Sequence, residues 1–345
     1  MTVTLDQIRQ RLAVLDARRM QYDWHATQAG SLRRHEAWRH AYLTNPYLTG
    51  APDSRVEDRF CDVFMNTVEL GATGLLQPVP LTENDTFMQM LGHLDEEYAG
   101  RVLGPPPDAL IARARAPIVN YFEDGRPPRG VAMFEGYTPP DTPMLVKYGK
   151  REFLEPMFRT GALRLANAGL YSQADLLDSI RDDETSRIFH IPTWRERLAG
   201  QDHVVVRGNR IAFNDDDITL PVVFDDYYLF SLCERIHHRM ASDFQADAAI
   251  VIRDPERFKM ALNRAVLEQR PAIQPMSGRV IYYDPYRDYT RFRQPEMAKP
   301  FRYAYQLEHR FVFRPRRRPL NGLEPMFLTI GPMMDFADLV PAQPR

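Results

Sequence analysis

The chain has almost no cysteine: Cys61 and Cys233 are the only two in 345 residues. They lie far apart, each in an apolar context, which excludes a disulfide framework and a thiolate metal site and fits a reducing, cytoplasmic setting. Charge of one sign is also lacking. Lysine and arginine number 44 against 46 aspartate and glutamate, a net charge of -2. Attraction to nucleic acid would have to come from a local patch. No apolar run approaches the roughly 20 residues that cross a bilayer. The opening Met1-Thr2-Val3-Thr4-Leu5-Asp6 has no basic stretch followed by an apolar one, so no membrane or secretory targeting is expected. Walker loops, GxGxxG, a G-x-S-x-G elbow and EF-hand spacing are absent. His35 and His40 in His-Glu-Ala-Trp-Arg-His stand five apart rather than four, off a common helix face, so the zinc-protease pattern fails. Asp215-Asp216-Asp217 and Asp225-Asp226 read as solvated loops, and no metal is expected.

Proline is plentiful, with 28 residues in clusters that mark boundaries. Residues 1–125 read as a helical domain. Helical periodicity runs over about 6–42, broken at Gly30-Ser31, then about 55–70, 83–98 with Thr82 as its cap, and 108–122 with Pro117 inside. This part carries no chemical motif, which fits a scaffold, a partner-binding domain or an inhibitory domain. Residues 126–143, between two proline-rich stretches, read as a linker. From 144 the pattern changes to short strands and helices, so the fold class is α+β. Strands are expected at 144–148, 162–165, 227–233, 249–252, 279–283 and 327–330, with a hairpin turning at Gly208-Asn209. Helices are expected at 151–160, closed by Gly161, from Tyr171 towards Asp183, and at 234–241 and 254–268.

The longest strand-like stretch is 301–313. Phe301, Tyr303, Tyr305, Leu307, His309, Phe311 and Phe313 alternate with Arg302, Ala304, Gln306, Glu308, Arg310 and Val312. Gln306, Glu308 and Arg310 are therefore expected side by side on one pleated face. A half-buried strand with a wet face accounts for that pattern, and so does a face lining a cleft. In a cleft, a fixed carboxylate beside an amide and a guanidinium can stabilise an oxocarbenium-like sugar. Arg314-Pro315-Arg316-Arg317-Arg318 reads either as a charged turn or as a patch facing phosphate or nucleic acid.

Three strands thus carry, in order, Lys147-Tyr148, then Ser231 within Phe230-Ser231-Leu232, then Gln306-x-Glu308. In that order residues 144–345 resemble the ADP-ribosyltransferase superfamily, with lysine at the family's usual first-strand arginine and Phe-Ser-Leu at its Ser-Thr-Ser. The resemblance implies a split mixed β-sheet and a mono-ADP-ribosyltransferase with NAD as substrate. Its acceptor would be macromolecular, nucleic acid or protein. Its setting would be that of a toxin or anti-phage defence effector, with an antitoxin or regulatory protein among the expected partners. By the same resemblance Glu308 holds the ribose hydroxyl and stabilises the oxocarbenium ion, and Gln306 orients the nucleophile. Ser231 supports Glu308, Lys147 contacts the phosphates, and Tyr148 and Arg310 complete the cofactor-binding set. Tyr148, Tyr171, Tyr227, Tyr228 and Tyr305 are candidates to stack on nicotinamide or adenine. Two rival readings stand beside this one. The first is a metal-dependent nuclease or hydrolase using Glu308 with Asp284 or the Asp182–Glu184 cluster. The second is a non-enzymatic binding module in which Glu308 is a surface charge.

Overall fold

Thr4 starts the first helix through a capping box: its hydroxyl accepts from the Gln7 amide while the Gln7 side chain accepts from the Thr4 amide. The computed structural model describes residues 3–80, 85–101, 106–172, 177, 183–206, 208–213, 217–289, 294–317 and 322–342. Helix α1 (Leu5–Ala29) ends at Gly30, whose φ of 76° suits glycine, and α2 (Arg34–Thr44) follows. Helix α3 (Asp53–Phe64) stops six residues short of the expected Leu70. Val68–Leu70 is instead β1, paired antiparallel with β2 (Leu76–Pro78). Helices α4 (Asp85–Gly100) and α5 (Asp108–Val119) complete the helical region, and Thr82 lies outside the described residues. Tyr42, Leu48, Val56, Val63 and Leu94 form its core, which extends to Tyr286 and Phe301 from the second half of the chain. Arg59 adds a buried bidentate pair with Asp284, at 2.9 and 2.6 Å.

The segment expected as a linker is packed. It holds α6 (Arg129–Met133), with Gly130 and Met133 buried. A methyl group at Gly130 would overlap the backbone carbonyl of His238, which cannot give way as a flexible side chain can. Gly130→Ala is expected to destabilise the protein by about 1–3 kcal/mol. The measure is a lower urea midpoint at unchanged slope.

The second half builds β3 (Leu145–Gly149), α7 (Arg151–Thr160) and β4 (Ala162–Asn167), with Gly161 left-handed as expected. Then come β5 (Ser186–Ile191), α8 (Trp194–Leu198), β6 (His203–Val206), β7 (Asn209–Ala212) and β8 (Ile218–Val223). The β6–β7 hairpin stands where Gly208-Asn209 foretold it, whereas the β5–β8 pair had no clear pattern. β9 (Tyr228–Cys233), α9 (His238–Asp243), β10 (Ala248–Ile252), α10 (Pro255–Gln269) and β11 (Ile273–Arg279) follow. The chain closes with β12 (Ile281–Tyr283), β13 (Ala298–Pro300), β14 (Glu308–Pro315), β15 (Met326–Thr329) and β16 (Ala337–Pro341). Most of the acidic helix expected after Tyr171 lies outside the described residues.

Eight strands form the main sheet in the order β11–β14–β9–β3–β10–β16, with β4 against β9 and β15 against β4. Its described pairings are all antiparallel, where a mixed sheet was expected; the parallel pair, β12–β13, lies outside it. α7 and α10 cover one face with Leu154, Met157, Phe258, Leu262 and Val266. α6 and α9 cover part of the other with Met133, Met240 and Ala241.

The sheet forks at β9. β3 pairs with β9 only at Val146–Cys233, and β4 pairs only at its other end, Ala166–Leu229 and Asn167–Tyr228. Between these contacts, Phe230–Leu232 has no strand partner on that side, and Ser231 stands in the gap.

The strand expected over 301–313 begins only at Glu308. Residues 301–306 form a 3-10 turn that ends at Leu307 in the left-handed region, with φ 45°. Phe301 turns into the core of the helical region, and Tyr305 lies against the Arg239 guanidinium at 3.6 Å. Tertiary packing takes up the alternating aromatics, so their alternation is not that of a strand.

Candidate active site

The gap at β9 opens into a cavity of about 340 Å³ lined by β3, β9, Tyr171, Glu184, Lys299, Gln306 and Glu308. Of the residues singled out in the sequence, Lys147, Tyr148, Ser231, Gln306 and Glu308 line it. Arg310 is fully buried behind the wall and touches the cavity only through its partners. Tyr171 lines the cavity, but Tyr227, Tyr228 and Tyr305 do not. Tyr227 is buried with its hydroxyl on the Glu184 carbonyl, and Tyr228 belongs to the opposite core.

Antiparallel register fixes the centre of the site. Glu308 pairs with Cys233 and Arg310 with Ser231 across β14 and β9. One pleated face then holds Ser231, Glu308 and Arg310 together. Ser231 Oγ donates to Glu308 Oε1 at 2.5 Å, and Arg310 Nε donates to the same oxygen at 2.7 Å. Lys299 Nζ donates to Glu308 Oε2 at 3.1 Å and to Gln306 Oε1 at 3.0 Å. The backbone amide of Glu308 donates to the Tyr282 hydroxyl at 2.8 Å. Gln306 thus reaches the expected neighbourhood from a turn rather than from the strand.

Glu184 closes the cluster. Arg310 donates to both its oxygens, at 2.8 and 2.6 Å, and Arg187 to one at 2.9 Å. Burial pushes the Glu308 carboxyl up, but Arg310, Lys299 and the hydrogen bonds from Arg310 and Ser231 outweigh it and hold its pKa well below the ordinary value. Glu184 is likewise lowered on balance, with burial opposed by Arg310, Arg187 and Lys299. Both carboxylates are therefore ionised at neutral pH. They face three cations, Arg187, Arg310 and Lys299, so the cluster carries one excess positive charge.

Lys147 adds another. Its ammonium donates to the Ser231 carbonyl at 2.9 Å and sits 4.5 Å from the centre of the Phe230 ring. Among the described residues it has no ion-pair partner, and burial lowers its pKa. Lysine thus serves the fork itself, bonding to a carbonyl where β3 and β9 part. At the same wall, burial pushes Tyr171 and Cys233 each up to about 12, with Glu184 adding for Tyr171 and Glu308 for Cys233.

Lys299, Glu184 and Tyr282 belong to the site but stand in no motif. Lys299 is a single lysine between Ala298 and Pro300, and Glu184 entered the sequence reading only through the Asp182–Glu184 cluster, as a metal partner of Glu308. The metal-hydrolase arrangement does not assemble around Glu308. Two cations bridge Glu308 and Glu184, Asp284 is held by Arg59, and Asp182 lies outside the described residues. No group of acidic, histidine or cysteine residues suited to a metal occurs among the described residues. Glu308 is 6% exposed, which argues against its being a mere surface charge. Compared with known proteins, the chain matches no family model, no curated protein and no solved structure.

Proposed function

We propose that the cavity binds NAD and that the protein is a mono-ADP-ribosyltransferase acting on a macromolecular acceptor. The observation that carries this reading is the meeting of three neighbouring strands. Lys147, Ser231 and Glu308, far apart in sequence, converge on one cavity where the sheet splits.

The volume is at the small end of ligand pockets, enough for nicotinamide and its ribose, with the adenine half along the open side. Tyr148, Tyr171 and Phe244 offer aromatic surface, and Lys147, Lys150 and Lys299 offer cations for the pyrophosphate. Glu308 Oε1 already accepts two hydrogen bonds and Oε2 one, which leaves Oε2 able to accept from a ribose hydroxyl. As the nicotinamide–ribose bond breaks, its electron pair leaves with nicotinamide and positive charge develops on the sugar. Coulomb energy falls with distance, so the carboxylate touching the sugar outweighs Arg310 and Arg187 behind it, while Lys299 shares the cavity wall. Gln306, held by Lys299, would orient the attacking group. The exposed Arg316 and Arg317 favour nucleic acid as acceptor, while Arg318 lies outside the described residues.

Incubation of labelled NAD and cell lysate with wild type and with Glu308→Gln tests the reading. The variant is expected to transfer label on the order of 10²-fold more slowly or worse. Equal transfer by both removes Glu308 from its role, and no transfer or nicotinamide release by either removes the activity.

A further inference from the structure

The turn that delivers Gln306 is gripped from the other half of the chain. Asn66 follows α3 and is 4% exposed. Its Nδ2 donates to the carbonyls of Asp62, Phe301 and Arg302 at 2.7, 3.2 and 3.3 Å, and its Oδ1 accepts from the Tyr305 amide at 2.7 Å. One amide side chain therefore satisfies three backbone groups of the 301–306 turn. Arg59, on α3, braces the same turn with its guanidinium 5.0 Å from the Phe301 ring while it binds Asp284. The turn then passes through Leu307 with φ 45°, a conformation leucine rarely adopts and one that persists only where its surroundings fix it. Immediately before it stands Gln306, and immediately after it Glu308. A turn of this kind has little regular structure of its own, so whatever satisfies its backbone sets where Gln306 points.

We propose that Asn66 is a positioning residue: by clamping the backbone of 301–305 it fixes the orientation of Gln306 in the cavity, and so makes the helical region part of the site. The catalytic side of this inference rests on the transferase reading above, and the clamp itself does not.

The test uses the full chain with Asn66→Ala, Asn66→Asp and Gln306→Ala. Asn66→Asp keeps an acceptor for the Tyr305 amide but loses the donors, and it provides a second variant if alanine fails to fold. Hydrogen exchange of the Tyr305 amide is expected to quicken about tenfold in Asn66→Ala and less in Asn66→Asp, with residues 248–252 unchanged. In transfer assays kcat should fall about tenfold in Asn66→Ala while KM for NAD stays within about twofold. Combined with Gln306→Ala, the Asn66 change should add almost nothing, because both act through one group. A role confined to stability would instead leave kcat per folded molecule unchanged and add fully to the Gln306→Ala loss, which overturns the positioning role. Unchanged Tyr305 exchange in folded variants overturns the clamp whether or not NAD is cleaved. Wild-type protein that is inert towards NAD overturns the reading beneath the catalytic half, while the exchange result still decides the clamp.

Discussion

Arg310→Met is expected to lower the free energy of unfolding by about 3–5 kcal/mol, the usual loss when one partner of a buried ionic group is removed. Arg310 has no exposed surface and donates to Glu308, to both oxygens of Glu184 and to the Glu296 carbonyl. Methionine fills much of the volume but supplies none of these donors. Glu184 would keep Arg187 and Glu308 would keep Lys299, yet each would lose its shortest cationic contacts. Glu184→Gln in the same background should deepen the loss rather than recover it, because it leaves the buried Arg187 without its carboxylate. Urea unfolding of the two variants beside wild type is the measurement. A single variant within about 1 kcal/mol of wild type would mean that the cluster is not held as its geometry implies.

Stability is expected to fall steeply as pH drops from 6.5. Burial, with Arg287 and Arg59, lowers the pKa of His93 to about 3; burial, with Arg239, lowers that of His237 well below its ordinary value. His190 is lowered to about 4 by burial and by Arg55, but it is partly exposed and contributes less. The unfolded chain protonates each histidine near pH 6.5 while the folded chain does not, so below that pH the unfolded state binds more protons and is favoured. Each such group removes about 1.4 kcal/mol per pH unit, so His93 and His237 together give about 3 kcal/mol per unit, offset below pH 6 by about 1.4 from Asp62, whose carboxyl burial raises to about 6 and which is then protonated in the fold but not in the unfolded chain. Near pH 4.5 and below, the lowered carboxylates Glu308, Glu184 and Asp284 act in the same direction, since each is ionised in the fold and protonated in the unfolded chain. Urea midpoints at pH 7, 6 and 5 should trace this slope, and His93→Gln should flatten it by about one proton. A midpoint constant over that range would show the buried histidines to be protonated in the fold.

How far the site could be read from the sequence depends on how local its signals are. Lys147, Ser231 and Glu308 were legible because each lies on a short strand with its own apolar pattern, and because their order along the chain matched an ordered set. The turn at 301–307 was not, since Phe301, Tyr303 and Tyr305 keep a strand's alternation while packing against residues brought close only by the fold. Asn66 settles the conformation there from about 240 residues away, and a reading along the chain has no access to that. Two strands of the main sheet were missed for a different reason. β11 contains Pro275 and Gly278, and β16 contains Asp338 and Pro341. Both lie at the edges of the main sheet, where a strand tolerates residues that a central strand cannot. Lys299 was missed because a lone lysine acquires meaning only from what surrounds it, and Glu184 was set beside Glu308 only as a metal partner, where Arg310 and Lys299 in fact join the two carboxylates.

The fork at β9 makes the aperture of the cavity a matter of length as well as of lining. β3 and β4 diverge from a common neighbour and are joined to each other through α7, a ten-residue helix. Adding one turn to that helix would lengthen it by about 5.4 Å and force the two strands to new separations along β9. Insertions within 151–160 are therefore expected to change the width of the gap at Ser231 without altering any side chain that lines the cavity.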